Sequence, residues 1–156
     1  MSDVGLNSAE SEFVERIGLA FERLGTSRTA GRLFGVLLMA REPLSLDELS
    51  RLLQVSKASV STNARYDERI GIIERASVPG DRRDYYRVAP RSLERAVTRR
   101  VAVTHEFVRL AESGLDAVDE GNGAARERLA EMRDFYQFIG DGLEGLMNRW
   151  REGRSG

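Results

Sequence analysis

The chain has 156 residues, of which 41% are hydrophobic and 31% are charged, and its formal net charge is −1. This composition is typical of a soluble, helix-rich protein with room for one compact core. The absence of cysteine and the presence of a single histidine, His105, exclude disulfides, thiolate catalysis and multi-histidine metal sites. We therefore expect neither a metal nor a cofactor.

Two further features favour a cytoplasmic protein that does not bind membranes. No apolar run reaches the ~18 residues that a membrane-spanning helix requires. Residues 1–13 are acidic and lack the charged-then-apolar order of a signal peptide.

Charge is unevenly distributed along the chain. Residues 1–24 contain two basic and five acidic side chains, whereas residues 56–91 contain eight basic and five acidic ones. The excess of positive charge therefore falls in the middle of the chain, where it indicates contact with a polyanion such as DNA.

Apolar spacing predicts two helices in the first 40 residues. The first spans 8–24 and is followed by Gly25, and the second spans 28–39 after a cap at Thr26 or Ser27. The apolar residues of the first helix recur at helical spacing and predict a face that packs against the body of the protein or a partner. These residues are Phe13, Val14, Ile17, Phe21 and Leu24.

A helix-turn-helix pattern follows Pro43. The run Ser45-Leu46-Asp47-Glu48 fits the S-x-x-E capping box at the start of a third helix. Gln54 and Val55 then form a turn, and Ser56 is a good cap for a fourth helix that extends to Arg69. Because the second cap needs non-helical backbone, the two short helices cannot be collinear.

A β-hairpin is predicted directly after the fourth helix. Residues 72–78 and 85–88 have strand character, and Pro79-Gly80-Asp81 is a turn signal. The tip of this hairpin carries Asp81, Arg82, Arg83 and Asp84. The predicted fold is thus mainly α with a small β-hairpin wing, a winged helix-turn-helix flanked by helices at both ends.

The remainder of the chain predicts long helices interrupted at Gly121-Asn122-Gly123. Apolar residues from Leu93 to Val118 line one side of the first. The second has a heptad-like stripe that is too apolar for solvent and predicts dimerisation. Its residues are Leu129, Met132, Tyr136, Ile139, Leu143, Leu146 and Trp150. Gly140, Gly142 and Gly145 interrupt good helix formers, which predicts a close backbone contact or a frayed end.

The central motif suggests a set of DNA-contacting residues. A helix that begins at Ser56 presents its first turns to a major groove, and wing arginines fit a narrow minor groove. Asp81 is expected to hold a neighbouring arginine by a bidentate pair. The candidate DNA-contacting residues are Arg28, Ser56, Lys57, Ala58, Ser59, Ser61, Thr62, Arg65, Arg82 and Arg83.

These motifs resemble the MarR family of bacterial winged helix-turn-helix regulators, and the run from Pro43 to Tyr86 is most similar to its GbsR-like branch. The D-x-R wing element of the family matches Asp81-Arg82-Arg83. The resemblance implies a homodimer of interleaved terminal helices that binds a pseudo-palindromic operator and represses transcription. It divides the chain into an N-terminal dimerisation helix (8–24), a DNA-binding lobe (28–90) and a C-terminal dimerisation arm (91–150).

The sequence departs from the family pattern at one position and leaves two further questions open. Asp67 falls on the inward phase of the recognition helix, where the family places an apolar residue, so a shallowly seated helix or a salt bridge is expected there. Four aromatic residues line either a small-molecule effector cleft or the core, namely Phe34, Phe107, Phe135 and Tyr136. A protein-interaction module is the alternative function, and the lack of any catalytic constellation argues against an enzyme.

Overall fold

The computed structural model describes residues 5–154, which form six α-helices and three short strands. This mostly helical architecture with a small antiparallel sheet confirms the predicted fold class. The described residues up to Ser92 form one compact unit and those from Leu93 form a second. The elements in chain order are α1 (Ser8–Arg23), α2 (Arg28–Met39), β1 (Leu44–Ser45), α3 (Leu46–Leu53), α4 (Lys57–Arg69), β2 (Ile73–Ala76), β3 (Tyr85–Val88), α5 (Ser92–Ala117) and α6 (Gly123–Gly153).

Helix α1 begins at a capping box in which Asn7 and Glu10 bond each other's backbone N–H groups, at 2.8 and 2.9 Å. It ends at Arg23, one residue earlier than predicted, before Gly25 with a φ of 79°. Leu24 therefore lies beyond the helix and is 75% exposed, so its assignment to the apolar face is wrong. Of the two predicted caps for α2, Ser27 is the one used.

Helices α1 and α2 cross at very close range because glycines face each other. A Cβ built on Gly31 would lie 2.7 Å from the side chain of Phe21 and 2.9 Å from the Cα of Gly18. Beside this crossing, Glu15 of α1 accepts from Arg28 at 2.7 Å and pairs with Arg32 at 2.6 Å. One face of α1 is therefore held within the first unit by shape and by charge.

The capping box predicted for α3 is present. The hydroxyl of Ser45 accepts from the backbone N–H of Glu48 at 3.3 Å, and the Glu48 carboxylate accepts from the backbone N–H of Ser45 at 2.8 Å. Helix α3 ends at Leu53 and is followed by its C-cap Gln54, which has a φ of 55°, and Ser56 caps α4 as predicted. The core of this unit consists of buried side chains from all its elements, among them Leu33, Leu49, Leu53, Val60, Ala64, Ile73 and Tyr86.

The sheet has the strand order β1-β3-β2, and all its pairs are antiparallel. The predicted hairpin is present, with Ile73 opposite Val88 and Ala76 opposite Tyr85. Strand β1 was not predicted because two residues are too few to show an alternating pattern. It adds to the hairpin through the pair Leu44 and Tyr86, which joins the hairpin to the start of α3.

The second unit consists of α5 and α6, with Asn122 capping α6 after the predicted break. Phe107 stacks on Tyr136, with ring centroids 4.5 Å apart and an interplanar angle of 12°. Of the apolar residues predicted to share one side of α5, Leu93 is 69% exposed. It lies in the first turn of the helix. Within residues 5–154, no helix is long and apolar enough to cross a bilayer.

The three glycines of α6 have different surroundings. A Cβ on Gly140 would lie 2.6 Å from Oγ1 of Thr104, so the predicted close contact exists there. A Cβ on Gly142 would meet nothing within 4 Å, and one on Gly145 would meet only the guanidinium of Arg149 at 3.6 Å.

Candidate nucleic-acid interface

Helix α4 has an inner and an outer face. Val60, Ala64 and Asp67 lie on the inner face and are buried. The outer face exposes Lys57, Ala58, Thr62, Arg65 and Arg69, while Ser59 and Ser61 are half-buried at its edges. The predicted DNA-contacting residues of this helix therefore lie together on or beside one accessible surface.

Two of the predicted contact residues already have intramolecular partners at the start of α4. The hydroxyl of Ser56 accepts from the backbone N–H of Ser59 at 3.2 Å. The ammonium group of Lys57 lies 2.6 Å from Oδ1 of Asp47, and this hydrogen bond lowers the pKa of Asp47. Asp47 was not predicted as part of the site, because the pair joins two separate helices.

The hairpin of β2 and β3 with its connecting residues 77–84, called the wing below, has a locked arginine near its tip. Nε of Arg83 donates to both carboxylate oxygens of Asp81, at 2.9 and 3.1 Å, and its backbone N–H donates to Oδ1 at 2.9 Å. The hydroxyl of Tyr85 donates to Asp81 at 2.8 Å and accepts from Arg83 at 2.7 Å. Hydrogen bonds from Arg83 hold the pKa of Asp81 well below its usual range. The bidentate pair expected from the sequence is thus present, and Tyr85 completes it.

Arg82 differs from its neighbour. Its side chain is exposed, and it makes no side-chain hydrogen bond or ion pair with any residue between 5 and 154. The wing therefore presents one oriented guanidinium group and one that is available to a partner.

A second arginine ties the base of the wing to α4. The guanidinium of Arg75 on β2 lies 3.4 Å from carboxylate oxygens of both Glu68 and Asp84, and 5.9 Å from the ring centroid of Tyr86. Sequence patterns did not reveal this link, since an arginine on a short exposed strand has no distinctive signal. It fixes the wing relative to the C-terminal end of α4.

Arg28, unlike the other predicted DNA-contacting residues, lies on neither α4 nor the wing. It occupies the first turn of α2, where it bonds Glu15 of α1. Its part in DNA binding stays a prediction, and its observed contact belongs to the α1–α2 crossing.

Asp67 is fully buried on the inner face of α4, and neither carboxylate oxygen has a hydrogen-bond partner among the residues that the structure describes. The predicted salt bridge is therefore wrong. Val60 and Ala64 share its face, and burial raises its pKa to about 8. At neutral pH the carboxyl is consequently mostly protonated, because an ionised carboxylate without a partner is far more costly to bury than a neutral carboxyl group.

The residues predicted to form a dimer differ in exposure. On α1, Phe13, Ile17 and Phe21 are half-buried, and the ring of Phe21 lies 6.0 Å from that of Phe34. On α6 the residues at the start of the stripe are half-buried, whereas Leu146 and Trp150 are exposed. Beside the stripe, Phe135 and Phe138 are exposed as well, the latter by 75%.

A capped helix with an accessible basic face, seated beside an arginine-tipped hairpin, defines a winged helix-turn-helix DNA-binding protein. The comparisons with known proteins agree with this class. Residues 24–84 match the MarR family model, and residues 91–153 match the model of MmpR5-like MarR family transcriptional regulators. Over 142 residues the chain is 37% identical to the HTH-type transcriptional regulator MmpR5 of Mycobacterium tuberculosis (strain ATCC 25618 / H37Rv), covering 90% of this chain and 86% of that protein. The chain belongs to the MarR family of transcriptional regulators.

Two further similarities extend this result. The HTH-type transcriptional repressor OpcR of Bacillus subtilis (strain 168) is 32% identical over 83 residues, which are 53% of this chain and 45% of that protein. A crystal structure described as a transcriptional regulator is 36% identical and superposes with a TM-score of 0.84, covering 92% of this chain and 99% of that one. The family and these relatives are regulators of transcription, not enzymes.

Proposed function

We propose that this protein is a homodimeric repressor of the GbsR-like branch that binds a pseudo-palindromic operator in the cytoplasm. The observation that carries the proposal is the accessible basic face of α4 beside a wing whose Arg83 is oriented by Asp81. Helix and hairpin lie in the same compact unit, so they can address adjacent grooves of one duplex.

In the proposed complex α4 enters the major groove, which is about 12 Å wide and admits a helix. Lys57 and Arg65 contact phosphate or guanine, and Ala58 contacts a thymine methyl group. Ser61 and Thr62 supply short hydrogen-bonding groups at base edges. The remaining proposed contact residues bind the DNA sugar-phosphate backbone, and their hydrogen bonds position α4 on the duplex. These residues are Ser56, Ser59 and Arg28.

The wing arginines occupy the minor groove in this proposal. Narrow A·T-rich segments concentrate negative potential, which attracts a guanidinium group. Arg83 reaches the groove in the orientation that Asp81 gives it, and Arg82 adds a second cation without losing an internal partner.

We propose that the chain dimerises through two helical arms, residues 8–24 and 91–150. These arms lie outside the proposed DNA-binding lobe, residues 28–90. The exposed apolar side chains on α6 support this, because a monomer rarely leaves so many large apolar groups in water.

We expect Phe138→Glu to convert the dimer to a monomer in sedimentation equilibrium, with Gln137→Glu, on the adjacent exposed position, as the control. A monomeric wild type would overturn this part.

Repression and its relief complete the proposal. The relative OpcR is named a transcriptional repressor, which supports the proposal that this protein also represses transcription. A small-molecule effector that releases DNA is proposed from the family resemblance. Phe34, Phe107 and Tyr136 are engaged in ring contacts inside their own units, and Phe135 packs edge-on against Tyr136 with ring centroids 5.5 Å apart. We therefore assign none of these four residues to an effector cleft.

Selection from a random DNA pool tests the proposal directly. The purified protein should enrich an inverted repeat whose half-sites are centred about one helical turn, ~34 Å, apart. Thr62→Ala should change the enriched bases, whereas Thr98→Ala, an exposed threonine of α5, should not. Lack of any enriched sequence, together with a stable protein partner in pull-down, would favour an interaction module instead.

A further inference from the structure

Asp67 is the one ionisable side chain among the described residues whose polar atoms are all buried and unpartnered. It lies on the inner face of α4, directly behind the outer face that is proposed to contact DNA. Its backbone carbonyl accepts from the N–H of Ile72 at 3.1 Å, so the residue also stands where α4 turns into β2. Nothing in the proposed contacts with DNA uses this carboxyl.

The charged side chains on the elements packed against α4 are engaged elsewhere. On α2, Arg28 and Arg32 pair with Glu15. On α3, Asp47 pairs with Lys57 and Glu48 bonds Ser45, while Arg51 is exposed. On β2, Arg75 pairs with Glu68 and Asp84, and Glu74 accepts from Arg87. Burial raises the pKa of Asp67, and no cation within residues 5–154 pairs with its carboxyl.

A DNA duplex on the outer face of α4 would place phosphates within about one helix diameter, ~10–12 Å, of this carboxyl. Asp67 is buried and α4 itself lies between it and that face, so the negative potential of the phosphates is screened less than at an exposed site. Bound DNA therefore favours the protonated carboxyl over the carboxylate. By linkage, a protein with Asp67 ionised must take up a proton when it binds DNA.

We propose that Asp67 couples DNA binding to proton uptake, so that the protein binds its operator more tightly at neutral pH than at alkaline pH, where the carboxyl is ionised. The proposal rests on the function proposed above, since it places DNA on the outer face of α4. Asp67 is a positioning residue here, because it acts from behind the helix without touching DNA.

The direction of the effect follows from the protonation states. Burial raises the pKa of Asp67 to about 8, so the free protein is mostly protonated at pH 7 and mostly ionised at pH 9. DNA raises this pKa further, and the affinity must then fall as pH rises through the alkaline range. A single proton limits the loss to tenfold per pH unit, and we expect about fivefold between pH 7 and pH 9.

The test uses the full-length protein and a fluorescent duplex that the wild-type protein selects from a random pool at pH 7. Its dissociation constant is measured at fixed salt from pH 6.5 to pH 9 for wild type, Asp67→Asn and Asp141→Asn. Asn mimics the protonated carboxyl in shape and does not titrate, and Asp141 is an exposed control on α6. All other titratable groups are the same in the three proteins, so differences among the pH profiles isolate the substituted carboxyl.

Wild type and Asp141→Asn should lose affinity together between pH 7 and pH 9, whereas Asp67→Asn should lose about fivefold less. Equal slopes in all three proteins would overturn the inference and leave the proposed function standing. Failure to select any duplex at pH 7 would overturn the proposed function and this inference with it. Should Asp67→Asn fold poorly, calorimetry of wild type at pH 8 in two buffers of different ionisation enthalpy measures proton uptake directly. Zero uptake would overturn the coupling.

Discussion

Lys57 Nζ and Asp47 Oδ1 lie 2.6 Å apart, so the first residue of the recognition helix α4 is tethered to α3. Asp47 also experiences the positive charges of Arg83 and Arg51. A carboxylate thus stands among the cations proposed to bind phosphates. The ammonium group must give up this partner, or share it, when it reaches a DNA phosphate.

Asp47→Asn should therefore increase the affinity for random-sequence DNA. The freed ammonium group releases one more counterion on binding, so the salt dependence should steepen by about one unit of slope. Fluorescence anisotropy across a salt series measures both quantities. Asp116→Asn is the control, since it adds the same net charge at an exposed position on α5, and an equal gain in both variants would contradict the role of Asp47.

The wing arginine gives the second prediction. Arg83→Ala should weaken binding to all sequences by roughly tenfold at low salt and reduce the slope of the salt dependence by about one. The control is Arg87→Ala, because Arg87 has almost the same side-chain exposure, 55% against 56%, and also pairs with a carboxylate. If both variants lose the same affinity, the wing tip has no special part in DNA binding.

Asp67 predicts an unusual dependence of stability on pH. Its folded-state pKa, about 8, is raised from 3.8 by burial. The unfolded chain therefore holds fewer protons than the folded one at neutral pH. The stability contribution of Asp67 is complete below pH 4, declines as pH rises towards 8 and then levels off. The decline amounts to roughly 3–5 kcal/mol by pH 7 on the linkage relation.

Urea unfolding of Asp67→Asn and wild type from pH 5 to pH 9 checks this sign. The variant should be more stable than wild type at pH 8, and its advantage should shrink as pH is lowered towards 5. Asp141→Asn, at an exposed position, should follow the wild-type profile. A variant whose free energy of unfolding differs from wild type by the same amount at every pH would show that Asp67 is ionised in the folded protein.

Two glycines of α6 give a matched pair. Gly140→Ala should destabilise the second unit by about 2 kcal/mol, because its Cβ would lie 2.6 Å from Oγ1 of the buried Thr104. Gly142→Ala should stabilise it by up to about 1 kcal/mol, since alanine is the better helix former and the site is open. Thermal unfolding measures both, and shifts of the same sign would contradict the close α5–α6 contact.

The features predicted correctly from the sequence are those set by residues near one another in the chain. The capping box of Ser45 and Glu48 spans three residues, and the pair of Asp81 and Arg83 spans two. The hairpin follows from strand-forming residues around Pro79 and Gly80. Each of these leaves a local pattern because the partners are brought together by a single turn.

The features missed depend on partners far away in the chain. The link between Asp47 and Lys57 and the links from Arg75 to Glu68 and Asp84 require helices and strands to be placed first. Asp67 was recognised as facing inward, yet the lack of any partner depends on where every nearby cation points. Strand β1 is defined by its pairing with β3 and not by its own two residues.

Hydroxyl-radical footprinting of a selected duplex shows whether two copies of α4 and its wing bind one operator. We expect two protected regions related by a two-fold axis, with centres about one helical turn apart and minor-groove protection beside each. Arg83→Ala should weaken the minor-groove protection and leave the two-fold arrangement of the footprint. A single asymmetric footprint, or protection that Arg83→Ala leaves unchanged, would contradict it.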